Sequence, residues 1–389
     1  MKLNYKHTTL ACYNAYITQA ITNNLPPLLF VTFEKSLGIS TVLIGLLITI
    51  NFGAQLAVDL LSAKYVDKIG YRNCFVIAHL MSAVGLVCMG VLPFVLPNAF
   101  FGLIISYIIN SVGSGMIEVI LSPTVEAIPG GNKASRMSML HSFYCFGHLA
   151  VVLLSTLYFT AIGIENWRIL PAIWAIVPVI NMIAFAVLPL PQMAEEGMSM
   201  DTRELLSLKI FWVFFALMIC SGAAEQAMAQ WASMFAEQGL NVSKTVGDLM
   251  GPCMFALLMG ISRAFYGKFG SRINLKGFIS GSCILCIISY LITVFAPYPI
   301  ISLAGCALCG LSVGIMWPGT FSLAAKRYPC GGTAMFALLA FAGDLGCIAG
   351  PNTVSLFSGG NLKNGMLCAA VFPILMLILV KAGLKRKKA

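Results

Sequence analysis

Twelve stretches of this chain are each about as long as a lipid bilayer is thick, and that recurrence constrains nearly everything else. A helix needs about 20 apolar residues to cross the hydrocarbon core. Runs of that kind occupy residues 8–32, 39–62, 74–96, 99–128, 134–163, 168–190, 209–235, 246–267, 275–296, 299–325, 333–358 and 364–383. Only 10% of the 389 residues are charged, and mean hydropathy is +0.89. A soluble chain carries about 25% charged residues, so this one could not cover a water-facing surface. Within lipid a span must satisfy its own backbone hydrogen bonds, so each run is expected to be a helix. The fold class is therefore an all-α membrane protein of twelve transmembrane helices. Pro123, Pro318 and Pro351 lie inside runs and mark expected bends. No small-residue cleavage site follows the first run, which is expected to stay as an uncleaved helix.

Lysine and arginine orient the spans. With both termini placed inside, nineteen fall in inner segments and four in outer ones: Lys35, Arg168, Lys244 and Lys363. Arg263 lies within a span. The expected location is the cytoplasmic (inner) membrane with both termini cytoplasmic. The net charge of +10 comes from short basic clusters between apolar runs. It lacks the basic helix and interleaved aromatics of a nucleic-acid surface. The expected partners are a small-molecule solute and membrane lipid, with the chain acting as a monomer.

The chain also repeats itself. A polar segment, 191–208 ("PQMAEEGMSMDTRELLSL"), divides an N-terminal six-helix bundle, 1–190, from a C-terminal one, 209–389, which ends in a basic cytoplasmic tail. "KYVDKIGYR" (64–72) returns as "AFYGKFGSR" (264–272), so Lys68, Gly70 and Arg72 match Lys268, Gly270 and Arg272. "CFGHLAV" (145–151) aligns with "FAGDLGC" (341–347), setting Gly147 on Gly343 and His148 on Asp344. Two pseudo-symmetric six-helix bundles are the architecture of a secondary transporter, with the solute expected between the halves near midplane.

The segment "AKYVDKIGYR" resembles the signature of the major facilitator superfamily: glycine, three residues, aspartate, a basic residue, any residue, glycine, any residue, a basic residue. Asp67, Lys68, Gly70 and Arg72 fit it, and Ala63 stands in place of the first glycine. The resemblance implies that these four residues form a conformational latch at the inner ends of the helices. "GMIEVILSP", "GIMWPGTFSLAAK" and "AGDLGCIAGP" further resemble the fucose permease-like branch of sugar:proton symporters. That branch ties carboxylates in spans one and four to sugar and proton. Glu118 matches the fourth-span position. Span one has no acid, and Asn14, Gln19, Asn23 and Asn24 are its polar residues.

An ionisable side chain inside a span is costly to keep there, which makes each one a functional candidate. Glu118, Glu225 and Asp344 are deep and are expected to couple the proton, whereas Asp59 and Glu126 lie near the inner face and reach water. A carboxyl balanced between desolvation and nearby donors can load a proton on one side and release it on the other. Gln226 and Gln230 share a helix face, and Trp231 follows them. Acids, amides and an indole suit a sugar, whose hydroxyls need donors and acceptors and whose apolar face packs on an aromatic ring. The expected substrate lining is Asn14, Asn23, Asn51, Gln55, Asn110, His148, Gln226, Gln230, Trp231 and Trp317. Arg263 and Asp344 are expected to form an ion pair, since either charge alone would be expensive in lipid. His141 lies on the same face of span five as His148.

No G-x-x-x-x-G-K-[ST] loop is present, so no ATP-driven motor is encoded, and no nucleophile–base or metal-binding pattern points to an enzyme. The C-x-x-C pairs Cys283/Cys286 and Cys306/Cys309 sit in apolar runs and are expected to be helix-packing thiols. No cofactor is expected. The energy source is expected to be a proton gradient, with sodium the alternative ion. The function that follows is alternating-access uptake of a sugar or similar polar solute by proton symport. The competing readings are a proton antiporter exporting an amphipathic drug or metabolite, and a non-transporting membrane receptor or scaffold.

Overall fold

The computed structural model describes residues 4–130, 133–191, 200, 202–269, 273–328 and 331–383. All regular structure among the described residues is helical. The chain divides into two compact units, Met1–Ala194 and Glu195–Ala389.

In the first unit, α1 (Tyr5–Asn24) leads through a 3-10 turn at Pro26–Leu29 into α2 (Phe30–Leu37). Then come α3 (Thr41–Ile69), α4 (Tyr71–Val95), α5 (Ala99–Ala127) and α6 (Lys133–Ile162). A 3-10 turn, Ile164–Ile169, precedes α7 (Leu170–Trp174) and α8 (Ile176–Val187), and the three together make one apolar stretch long enough to cross a membrane. Short polar side chains, Asn4, Ser40 and Asn98, start α1, α3 and α5, because the first N–H groups have no partner within the helix. Asn4 Oδ1 accepts from the Lys6 amide at 3.0 Å, and Asn98 Oδ1 from the Phe100 amide at 2.9 Å. Gly70, with φ +87°, ends α3 and turns the chain into α4. That left-handed backbone favours glycine.

The second unit opens with α9 (Thr202–Ser207) and α10 (Lys209–Met234), the latter closed by a π turn at Phe235–Gly239. α11 (Lys244–Asp248) and α12 (Met254–Phe269) are joined by a second π turn, Leu249–Cys253. α13 (Leu275–Phe295) is followed by α14 (Pro299–Val313) and α15 (Met316–Arg327), one crossing broken just before Pro318. α16 (Gly332–Phe357), α17 (Leu362–Ala369) and α18 (Val371–Ile378) complete the unit, with a π turn at Leu379–Gly383. Pro123 and Pro351 lie inside α5 and α16.

Among the described residues, eleven helices are long and apolar enough to cross a membrane. The first expected span, 8–32, is not among them. It is interrupted at Pro26 and Pro27, and the polar residues of α1 (Thr18, Gln19, Thr22, Asn23 and Asn24 among them) dilute its hydropathy. Those five side chains are buried, so α1 spends its polarity inward.

Close helix contact is made through glycine, as packing in lipid favours. A Cβ on Gly147 of α6 would lie 2.8 Å from Ala20 Cβ of α1. In the second unit, a Cβ on Gly346 of α16 would lie 2.8 Å from the Ala223 amide of α10, one on Gly350 would strike the Ala223 carbonyl, and one on Gly343 would strike the Trp317 ring. The motif "AGDLGCIAGP" is thus the seam on which α10 rides. The thiols of Cys286 and Cys309 meet across α13 and α14 at 3.9 Å.

Candidate functional site

The centre of the first unit is built by two glycines and a glutamate on α5. A Cβ on Gly113 would lie 2.6 Å from the Ser82 amide, so α4 touches the α5 backbone there. A Cβ on Gly115 would lie 3.0 Å from Asp59 Oδ1 and from the Gln55 carbonyl, so α3 does the same on another side. Three residues further along, Glu118 reaches α1 and α3 together. Gln19 Nε2 donates to Glu118 Oε2 at 2.7 Å, and Gln55 Nε2 donates to the same oxygen at 2.6 Å. Gln55 Oε1 in turn accepts from Ser114 Oγ at 3.1 Å. Glu118 is half-buried, and taking a carboxylate even partly out of water costs up to several kcal/mol. Each hydrogen bond to a charged group returns about 1.5–3 kcal/mol. Two donors on one oxygen are therefore of the right size to keep the anion within reach.

The other first-unit candidates spread around this centre. Asn51 Oδ1 accepts from Ser111 Oγ at 2.9 Å, and Asn110 Nδ2 donates to the Thr22 carbonyl at 3.4 Å. Asn23 and His148 are buried, Asn14 and Asp59 are half-buried, and Glu126 is exposed. Two further polar groups of the first unit lie outside the expected lining. Gln19 is one, although the lack of a span-one acid already drew attention to the amides of α1. The pair His79 and Asn181 is the other. Asn181 Nδ2 donates to the Ala11 carbonyl at 3.1 Å and lies 2.8 Å from His79 Nε2, while His79 Nδ1 lies 2.7 Å from the Phe75 carbonyl. These bonds tie α8, α1 and α4 together. A lone histidine and a lone amide in apolar runs were the only signals.

In the second unit, Glu225 takes the ionic partner: Arg263 Nη2 lies 3.3 Å from Glu225 Oε2. The expected pairing of Arg263 was with Asp344. Glu225 and Asp344 are both buried. Gln230 Nε2 donates to Gln226 Oε1 at 3.0 Å, the i,i+4 contact their spacing requires. Trp231 is completely buried, and its indole N–H donates to the Pro351 carbonyl at 3.0 Å, so it pins α10 to α16. Trp317 is half-buried against Gly343. The repeat gives Trp317 a first-unit counterpart. Gly314 abuts Met259 O of α12 as Gly115 abuts Gln55 O of α3, and three residues after each stand Trp317 and Glu118. Sequence reading also passed over Asp248, which is fully buried and bonded to Lys244 Nζ at 3.1 Å. Lys244 Nζ lies 3.1 Å from Glu237 as well.

The sequence profile of the Major Facilitator Superfamily matches residues 12–351. This chain belongs to the major facilitator superfamily. Solved transporters of similar fold include the nucleoside transporter NupG, with a TM-score of 0.77 at 15% identity over 98% of this chain and 99% of that one. The E. coli fucose:proton symporter FucP matches with a TM-score of 0.68 at 14% identity, over 97% of this chain and 99% of that one. A structure of FucP in the outward conformation matches with a TM-score of 0.70 at 14% identity, over the same shares. No curated protein matches significantly in sequence.

For a major facilitator protein the 64–72 segment is of special interest. Arg72 places its guanidinium on three carbonyls at the end of α8: Phe185 at 2.9 Å, Ala186 at 2.8 Å and Leu188 at 2.9 Å. These are the acceptors a helix leaves unsatisfied at its C-terminus. Gly70 supplies the turn that brings Arg72 there, and Lys68 lies over the Tyr65 ring at 5.9 Å. The side chains of Asp67 and Lys68's repeat partner Lys268, and all of Gly270 and Arg272, lie outside the described residues.

Proposed function

We propose that this chain is a secondary active transporter working by alternating access, which takes up a sugar or a similarly small polar solute together with a proton. The observation that supports this most is the Glu118 carboxylate with its two amide donors, set in α5 where α1 and α3 meet it. A carboxyl with that surrounding can exist in either protonation state, as a coupling group must. Glu225 and Asp344 are the acids proposed to assist it in the second unit. Fucose and nucleosides share a ring that carries hydroxyl groups, the feature that amides and acids recognise well. The relatives named for those solutes therefore support the same class here. The proton gradient is the proposed energy source, and Asp67, Lys68, Gly70 and Arg72 are proposed to latch the inner ends of the helices. The proposed setting is the cytoplasmic membrane, with both termini inside and the chain a monomer.

Reconstitution in liposomes tests this. With an acidic exterior, labelled fucose, other sugars and nucleosides are offered in turn, and internal pH is followed. Accumulation of one of them with internal acidification is the expected result. Glu118→Gln should abolish accumulation while sparing exchange of solute across the membrane. Full pH-driven accumulation in Glu118→Gln would remove Glu118 from the mechanism. Extrusion of an amphipathic dye against the proton gradient would instead establish export.

A further inference from the structure

The two amides that hold Glu118 are not equivalent. Gln55 is fixed at both ends, since its Oε1 accepts from Ser114 while its Nε2 donates to Glu118. Gln19 is fixed at one end only. Its Nε2 donates to Glu118 at 2.7 Å, while its Oε1 is buried and has no protein hydrogen-bond partner among the described residues. A buried, unpartnered acceptor is a cost to the fold. The side chain has been placed for the sake of the donor at its other end. Gln19 also sits on α1, the span in which the fucose permease-like resemblance leads one to expect an acid. An amide there gives the opposite electrostatics: it offers N–H to the anion of Glu118 where a second carboxylate would repel it.

We infer that Gln19 is a positioning residue of the proton site, which stabilises ionised Glu118 through Oε2 and leaves Oε1 as the oxygen that takes up and releases the proton. The inference rests on Glu118 being the group that carries the proton. Protonation at Oε1 leaves Oε2 a carbonyl oxygen that still accepts both amides, so the clamp persists in either state and only its strength changes. Gln19 thereby sets the pH at which Glu118 lets go of its proton, with no partner acid in span one.

Other ionisable groups lie on the helices packed against α5. Among the described side chains, the acidic, basic and imidazole groups on them are Lys6 and His7 on α1, Asp59 and Lys68 on α3, Arg72 and His79 on α4, and Arg136, His141 and His148 on α6. The experiment must therefore isolate Glu118. Infrared difference spectra of the protein in liposomes, without solute, are recorded across pH. The carboxylic C=O band that disappears in Glu118→Gln is the signal, and Asp59→Asn is the control that should leave it in place. In Gln19→Met the midpoint of that band is expected to move to higher pH by about one to two units, the size of one charge-assisted hydrogen bond. Gln19→Glu should move it further and split the titration into two steps, as coupled carboxyls do. Thermal stability of Gln19→Met should hold, because the unpartnered acceptor is removed with the donor.

An unchanged midpoint in both Gln19 variants, with the Glu118 band intact, overturns the role of Gln19 alone. If Glu118→Gln removes no titrating band, Glu118 is not the proton carrier and the parent reading fails first. A merely structural Gln19 would lower stability and leave the midpoint where it was.

Discussion

Arg263→Met should be among the most damaging single changes in the second unit. The pair it breaks is 3.3 Å long, with side chains only 14% and 9% exposed. Two unit charges at 3.3 Å attract by about 5 kcal/mol at an effective dielectric of 20. Desolvation offsets much of that in the intact pair, but removing one partner leaves the other charge stranded. Such losses run at about 3–5 kcal/mol. For a unit of this size that corresponds to a fall in melting temperature on the order of 10 °C. A thiol-reactive dye reads this well, because ten of the twelve described free cysteines are buried and react only on unfolding. The decisive comparison is the double variant Glu225→Gln, Arg263→Met, which removes both charges and should recover most of the loss. If the double variant is as unstable as Arg263→Met alone, the stranded charge is not the cause and the electrostatic reasoning is refuted.

The remaining expectations are also read from stability in the same assay. Gly346→Ala should cost at least about 1–3 kcal/mol, because its Cβ would meet the Ala223 amide at 2.8 Å. By contrast, Gly281→Ala, where nothing lies within 4 Å, should gain about 0.5–1 kcal/mol. Arg72→Ala should lose about 1–3 kcal/mol by leaving the last carbonyls of α8 without their guanidinium, and Arg72→Lys should rescue it poorly, because an ammonium cannot span three acceptors. Asn181→Leu should cost about 1–3 kcal/mol by orphaning His79 Nε2 and the Ala11 carbonyl, and a second change, His79→Leu, should recover part of it.

The membrane class and the helices could be read directly from the chain. So could the oddity of Glu118, because an acid in an apolar run is conspicuous wherever the run ends up. The first span was less legible: its length suggested one helix, yet two consecutive prolines and a polar α1 make it a broken one. Trp231 shows a different limit. Its spacing beside Gln226 and Gln230 suggested a sugar-facing wall, and the structure ties its indole to Pro351 within the α10–α16 seam.

What composition and periodicity determined by themselves was everything that depends on one segment at a time: hydropathy, length, repeat and the angle a residue takes on its own helix. Partnership was decided only by the tertiary structure. Gln19 and Gln55 stand 99 and 63 residues from Glu118, and Arg263 stands 38 from Glu225. A hydrogen bond or ion pair exists only where atoms come within about 3 Å. Which helices approach that closely depends on where glycines such as Gly115, Gly147 and Gly346 let backbones touch. Those contacts turned a lone glutamate in an apolar run into a carboxylate held by two amides.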